Sequence, residues 1–229
     1  MAPNPELTKQ RLISAAETLF AERGIDAVSL REINAAASQR NSTALQYHFT
    51  DRRGLLNALL AKHLVDVEAR RNELLDAYEA AGVDDLRALA EALVRPSATK
   101  LADPDGGRAF LRIHAQLINR PDWPPRAHSR RSKSGDSIER WRRLVAPLLP
   151  DVAVERLHHR FTALRVTATE LARRAASAPR RDDQLFTSHL VDLVTALLAA
   201  PVSAQTAGLL NERMPRVAAR SDTTPPRSA

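Results

Sequence analysis

The apolar residues Leu12, Ile13, Ala16, Leu19 and Phe20 fall at helical spacing, and the same spacing returns at Phe110, Ile113 and Leu117 and again at Leu157, Phe161, Leu164, Ala168, Leu171 and Ala175. Residues three and four apart share one face of an α-helix, so a chain that keeps this period buries one stripe of each of many helices. Only 7 of the 229 residues are glycine, and Ala, Leu, Arg and Glu dominate. That mixture has high helix propensity and few of the turn residues a sheet protein needs. The fold class expected is all-α. With 44% hydrophobic and 27% charged residues, the chain can form a core, and its length allows one large domain or two modest ones.

Start and stop signals divide the pattern. A first helix from Glu6 ends before Gly24, a residue able to take the left-handed conformation that stops a helix. The stretch Ser29-Leu30-Arg31-Glu32 has the spacing of a capping box and starts a second helix running to about Ala37. After the polar break Ser38-Gln39-Arg40, Asn41 is a good N-cap for a short third helix over 42–48. Asp51 caps a fourth that continues to about Ala81, a rod of about 45 Å at ~1.5 Å per residue, enough to link two domains. Beyond it the sequence predicts segments over 84–102, with Pro96 as a kink or break, then 107–120, 136–149, about 151–177 and 182–200, and a short helix near Leu209-Leu210. The run Pro121-Asp122-Trp123-Pro124-Pro125 is expected as loop, and the tail beyond Arg216 as disordered.

Two short helices across a tight polar break, packed on a preceding amphipathic helix, describe a helix-turn-helix. In such a unit the second helix lies in the DNA major groove and must present polar groups to base edges. Arg40, Ser42, Thr43 and Gln46 do so: Gln can donate and accept together at an adenine edge, and Arg prefers guanine. Tyr47, His48, Arg52 and Arg53 lie where the chain would pass the phosphates. The excess of 34 Lys+Arg over 27 Asp+Glu, a net charge of +7, suits a polyanionic partner. Charge is supporting evidence only, and by geometry alone such a bundle has many uses other than DNA binding.

A longer pattern narrows the choice. The run from Ala15-Ala16 through Leu19-Phe20 to Gly24, then Ser29-Leu30-Arg31-Glu32-Ile33, Tyr47-His48-Phe49 and Asp51-Arg52-Arg53-Gly54-Leu55-Leu56, resembles the N-terminal domain of tetracycline-repressor-like (TetR family) regulators over about residues 6–66. The resemblance implies an obligate dimer of nine- or ten-helix subunits and a C-terminal domain that binds a small effector. It also implies phosphate contacts from Tyr47 and Arg52. Two departures stand out. The family's usual turn, Ala-Gly-Val-Ser, with Gly at positive φ and Val in the core, is met here by Ser38-Gln39-Arg40-Asn41; and the position before Tyr47, often aromatic, is Gln46. Arg40 cannot fill an apolar socket cheaply and is expected to point outwards. The DNA-contacting set is then Ser29, Gln39, Arg40, Asn41, Ser42, Thr43, Gln46, Tyr47, His48 and Arg52.

The organisation expected is therefore a helix-turn-helix domain over 6–66, with the motif at about 29–49, a helical effector-binding and dimerisation domain over 67–203, and a tail over 204–229. Phe110, His114, Trp141, Phe161 and Arg165 are candidates for an effector pocket, with ordinary core packing the alternative for His114 and Trp141. The 182–200 segment carries Leu185, Phe186, Leu190, Val191, Leu193, Val194, Leu197 and Leu198 on more than one face. Such a helix is buried on several sides, either in the middle of its domain or against a partner subunit. The resemblance favours the second, with Leu157, Leu164, Leu171, Leu190, Val194 and Leu197 in a two-fold interface. A two-fold dimer matches a palindromic operator.

Other chemistry finds no support. His158 and His159 would point about 100° apart on a helix and do not suit one metal ion, so neither metal nor cofactor is expected. No Ser-His-Asp spacing, paired carboxylates or Gly-rich phosphate loop occurs, hence no catalytic residue and no enzyme. With no apolar stretch of the roughly 20 residues that span a bilayer, no signal-peptide core and no cysteine, a cytoplasmic protein is expected. The function expected is a sequence-specific DNA-binding transcription regulator, a ligand-responsive dimeric repressor of palindromic operators. Its partners are duplex operator DNA, a second copy of itself and an unknown small-molecule effector. The alternative, prompted by the unusual turn, is a helical small-molecule carrier or adaptor that keeps a vestigial reading head.

Overall fold

The computed structural model describes residues 5–38, 44–120, 136–178 and 182–212, and among these every regular element is helical. The expectations for Gln39, Arg40, Asn41, Ser42 and Thr43, for the loop around Trp123 and for the tail beyond Arg216 lie outside the described residues. Residues 1–198 form one compact unit and 199–229 a second.

Helix α1 spans Pro5–Arg23 and buries Leu12, Ile13, Ala16 and Phe20 along one stripe. Gly24, at φ 87°, ends it with an N–H bond to the Phe20 carbonyl of 3.0 Å. Helix α2 spans Leu30–Ala36, and its capping box forms as the sequence predicts, with the Ser29 hydroxyl and the Glu32 carboxylate each accepting from the other's backbone N–H. Helix α3 spans Ala44–Phe49. Its Leu45 is fully buried with Ile33 of α2 and Phe20 of α1 in the shared core. Asp51 caps the 30-residue helix α4, Arg52–Ala81, accepting from the Gly54 N–H. Only glycine fits at 54: a Cβ there would lie 1.9 Å from the Phe49 carbonyl oxygen, because the first turn of α4 is folded back on the end of α3.

Helix α5, Leu86–Ala98, continues through Pro96 and passes into a 3-10 turn at Thr99–Leu101. The expected break is absent, and the buried ring of Pro96 joins the apolar face instead. Helices α6 (Gly107–Ile118) and α7 (Ser137–Val145) follow. The 151–177 segment expected as one helix is two, α8 (Asp151–Glu155) and α9 (His159–Ala176). The Leu157 N–H reaches back to the Val152 carbonyl, and His158 takes a left-handed φ of 56°, a conformation that cannot be carried on as a right-handed helix.

Helix α10 spans Asp183–Leu198 and packs on α5 and α9, while α6 packs on α9 and, on its other side, on α1. Trp141 of α7 is wholly buried and donates its indole N–H to the Leu89 carbonyl of α5 at 2.8 Å. Arg108 of α6 donates to the carbonyls of Arg174 and Ala175 in the last turn of α9, where such groups otherwise lack partners. In the second unit, α11 spans Ala204–Glu212.

Candidate DNA-reading head and effector cavity

Helices α1, α2 and α3 pack on one another as a three-helix head, and α3 also packs on α4. Leu45 and Phe49 turn into the core, which leaves Gln46 and Tyr47 facing solvent; Tyr47 is 82% exposed. His48 is half-buried, and its ring meets the Tyr47 ring edge-on at 5.1 Å. A tyrosine so exposed on a helix of six residues contributes almost nothing to the fold, and its phenol is available to a partner.

Other residues of the predicted set are engaged within the head. The Ser29 hydroxyl is committed to the capping box, accepting from the Glu32 N–H at 3.2 Å and donating to its carboxylate at 2.7 Å. The Ser29 hydrogen bonds, joined by the Arg23 guanidinium, hold the Glu32 carboxyl down to about 2. Arg52 turns inward over the Phe20 ring and donates to the carbonyls of Ile25 and Val28, the latter at 2.7 Å. It thereby fastens the α1–α2 loop to the start of α4. Among the described residues of the break, Ser38 is left-handed at φ 55°, one place before the position that the family's turn gives to glycine.

The head is tied to the helices behind it at two places. Gln116 of α6 accepts from the Ile25 N–H at 3.1 Å, and Arg120, just past the end of α6, pairs with Asp26. Deeper, the buried carboxylate of Glu17 in α1 sits 2.8 Å from Nε2 of the buried His63 in α4. It also pairs with Lys62 at 3.1 Å, and Lys62 reaches on to Asp105 at 2.8 Å. Burial pulls the Lys62 ammonium down, but hydrogen bonds to Asp105 and Glu17 outweigh it and leave its affinity for protons raised. Gly106 closes over this cluster; a Cβ there would come within 2.4 Å of Glu17 Oε2. None of this cluster was legible in the sequence, since residues 17, 63 and 103–106 meet only through tertiary packing.

A cavity of about 320 Å³ opens among α4, α6, α7 and α9. Of the five residues expected to line an effector pocket, His114, Phe161 and Arg165 are in its wall. Trp141 is not part of that wall; its indole is satisfied inside the α5–α7 core. Phe110 lies one layer back, stacked between His63 (4.8 Å between ring centres) and His114 (5.5 Å). The wall also contains two buried residues that sequence reasoning missed, Arg71 of α4 and Thr167 of α9. Arg71 occurs on the inner face of a long helix with no local signature. Burial draws its guanidinium down to about 10, opposed by the charges of Glu68 and Asp136.

Of the residues expected at a dimer interface, Leu171, Leu190 and Val194 are buried within their own protomer, Leu164 lines the cavity, and Leu157 and Leu197 are half-buried. The apolar side chains α10 leaves open are Leu185 (70% exposed) and Leu193 (48% exposed).

A head of this form, with a short exposed helix presented by two packed behind it, is a helix-turn-helix on an all-helical body. Residues 12–59, from α1 into the first turns of α4, match the model of the bacterial regulatory proteins of the tetR family. No protein of curated function matches the chain. Among solved structures, the chain is similar to a Rhodococcus sp. protein assigned to the TetR-family regulators, at 19% identity over 84% of this chain and 99% of that one, with a TM-score of 0.44. A Mesorhizobium loti protein of the same assignment is 18% identical over 86% and 98%, with a TM-score of 0.45. RolR, solved with the ligand resorcinol, is 19% identical over 87% and 96%, with a TM-score of 0.36. Among the described residues no helix is long and apolar enough to cross a membrane.

Proposed function

We propose that this protein is a dimeric, ligand-responsive repressor that binds palindromic operator DNA through α3 and releases it when a small molecule occupies the cavity. Acting on bacterial operators, it would work in the cytoplasm. The observation that carries the reading is the physical continuity between head and cavity. His114 in the cavity wall stacks on Phe110, Phe110 on His63, and His63 meets Glu17 of α1. Arg120, also in the wall, pairs with Asp26 in the α1–α2 loop. An occupant that favoured one placement of these groups would bias the head, which is what effector control requires.

DNA contact is assigned to Gln46 for base choice and to Tyr47, His48 and the N-terminal end of α4 for phosphates, with residues 39–43 supplying the rest of the groove surface. Pairing of two protomers is assigned to the exposed half of α10, around Leu185 and Leu193, rather than to Leu171, Leu190 and Val194, which are buried within their own protomer. Retardation of duplex DNA from the gene's own upstream region at low salt tests the reading. Tyr47→Ala should weaken binding to every sequence, and Gln46→Ala should change the preference among sequences. Absence of retardation by the wild-type protein would sink it.

A further inference from the structure

Two residues of the wall each hold a side-chain polar atom that is closed to solvent and has no hydrogen-bond partner: Arg71 at Nε and Thr167 at Oγ1. Both residues are only 4% exposed. Arg71 has one partner, the Ser137 hydroxyl at 2.9 Å, and among the described residues no carboxylate lies within ion-pairing distance of it. A guanidinium carries five N–H donors in a planar fork that matches a carboxylate. A buried cation left with a single neutral acceptor is costly to the fold unless something else fills the space beside it. Much of the wall is hydrocarbon, including Leu60, Leu64, Leu93, Leu111 and Leu164.

We propose that the cavity takes a compact apolar monocarboxylic acid, its carboxylate accepting from Arg71 and Thr167 and its hydrocarbon part lying against the leucines. The assignment rests on the cavity being the effector site. Size limits the ligand: 320 Å³ is at the small end of ligand sites. Charge limits it too. Of the wall's described arginines, Arg120 and Arg142 are paired with Asp26 and Glu139 and Arg165 is exposed; Arg71 alone is buried, and one buried positive charge matches a monoanion better than a dianion such as a phosphate monoester. A neutral ligand would leave the Arg71 charge uncompensated.

The test uses the full-length protein with phenylacetate, its neutral isostere phenylacetamide and the dianion benzylphosphonate, followed by calorimetry. The wild type should bind phenylacetate at least about tenfold more tightly than either of the others, the scale of a charge-assisted hydrogen bond. Arg71→Met, which keeps volume and removes charge, should bring acid and amide to within about threefold while its melting transition stays cooperative. If that variant does not fold, Arg71→Lys should keep the sign of the preference and weaken it, and Thr167→Val should lower acid affinity alone. Equal affinity for acid and amide, a preference that survives Arg71→Met, or no binding of any of the three would overturn the proposal. DNA retardation measured beside the calorimetry separates the two readings. Acid that binds through Arg71 but leaves the DNA complex intact refutes effector control and keeps the ligand class; amide that releases DNA as well as the acid does the reverse.

Discussion

Tyr47 and Arg52 occupy neighbouring places in the sequence pattern and were expected to play the same part, yet the structure gives them different surroundings. The Tyr47 ring is open to solvent, so Tyr47→Ala should leave unfolding free energy within about 0.5 kcal/mol of wild type while weakening DNA binding about tenfold, read by anisotropy titration against denaturant melts. Arg52 holds two loop carbonyls, and Arg52→Ala should lower stability by about 1–3 kcal/mol in addition to any loss on DNA. Sequence spacing identified both positions but could not say which way the guanidinium turns, because the carbonyls it meets lie 24 and 27 residues earlier in the chain. Ser38 offers a simpler check. A side chain at φ 55° is strained where glycine is not, so Ser38→Gly should raise stability by roughly 0.5–1 kcal/mol. A decrease in the melting midpoint would contradict the assigned turn.

Among the elements, α2 was the most legible and also makes a pH-dependent prediction. Its start depends on the reciprocal bonds of Ser29 and Glu32. Because the Glu32 carboxyl is held from 4.5 down to about 2, the stability it contributes is fully present above its ordinary value. It is lost as pH falls through the folded value. Thermal melts of wild type and Glu32→Gln should therefore differ near neutral pH and converge between pH 4.5 and about 2. A constant difference would show that the capping box is not formed. The period that located α1 and α6 failed at α8 and α9, since apolar spacing runs on through Leu157 and His158 has nothing in its type that demands a left-handed turn. It likewise could not divide the apolar faces of α10 between core and partner. Leu185 and Leu193 are the residues left over, and Leu185→Glu with Leu193→Glu should convert a sedimenting dimer to a folded monomer. A dimer that survives both changes places the interface elsewhere.

At the scale of the whole molecule, the chain joins a readable head to a cavity that the sequence shows only in part. All-helical class, head and capping were legible because each rests on local spacing. The Glu17–His63 contact, the Arg120–Asp26 pair and the buried Arg71 were not, because each is a single polar residue on an otherwise ordinary helix face, given meaning only by what packs against it. Under the proposed function those contacts distinguish a regulator from a carrier with an idle head, since through them a cavity occupant would act on α1 and the α1–α2 loop. The most direct measurement is selection of duplexes from a random pool by the full-length protein, followed by sequencing of what is retained. The account expects an enriched two-fold symmetric motif with half-sites about one helical turn apart or a multiple of it, lost with Tyr47→Ala. A pool that shows no motif, while the cavity still binds a small acid, would contradict it and leave the carrier.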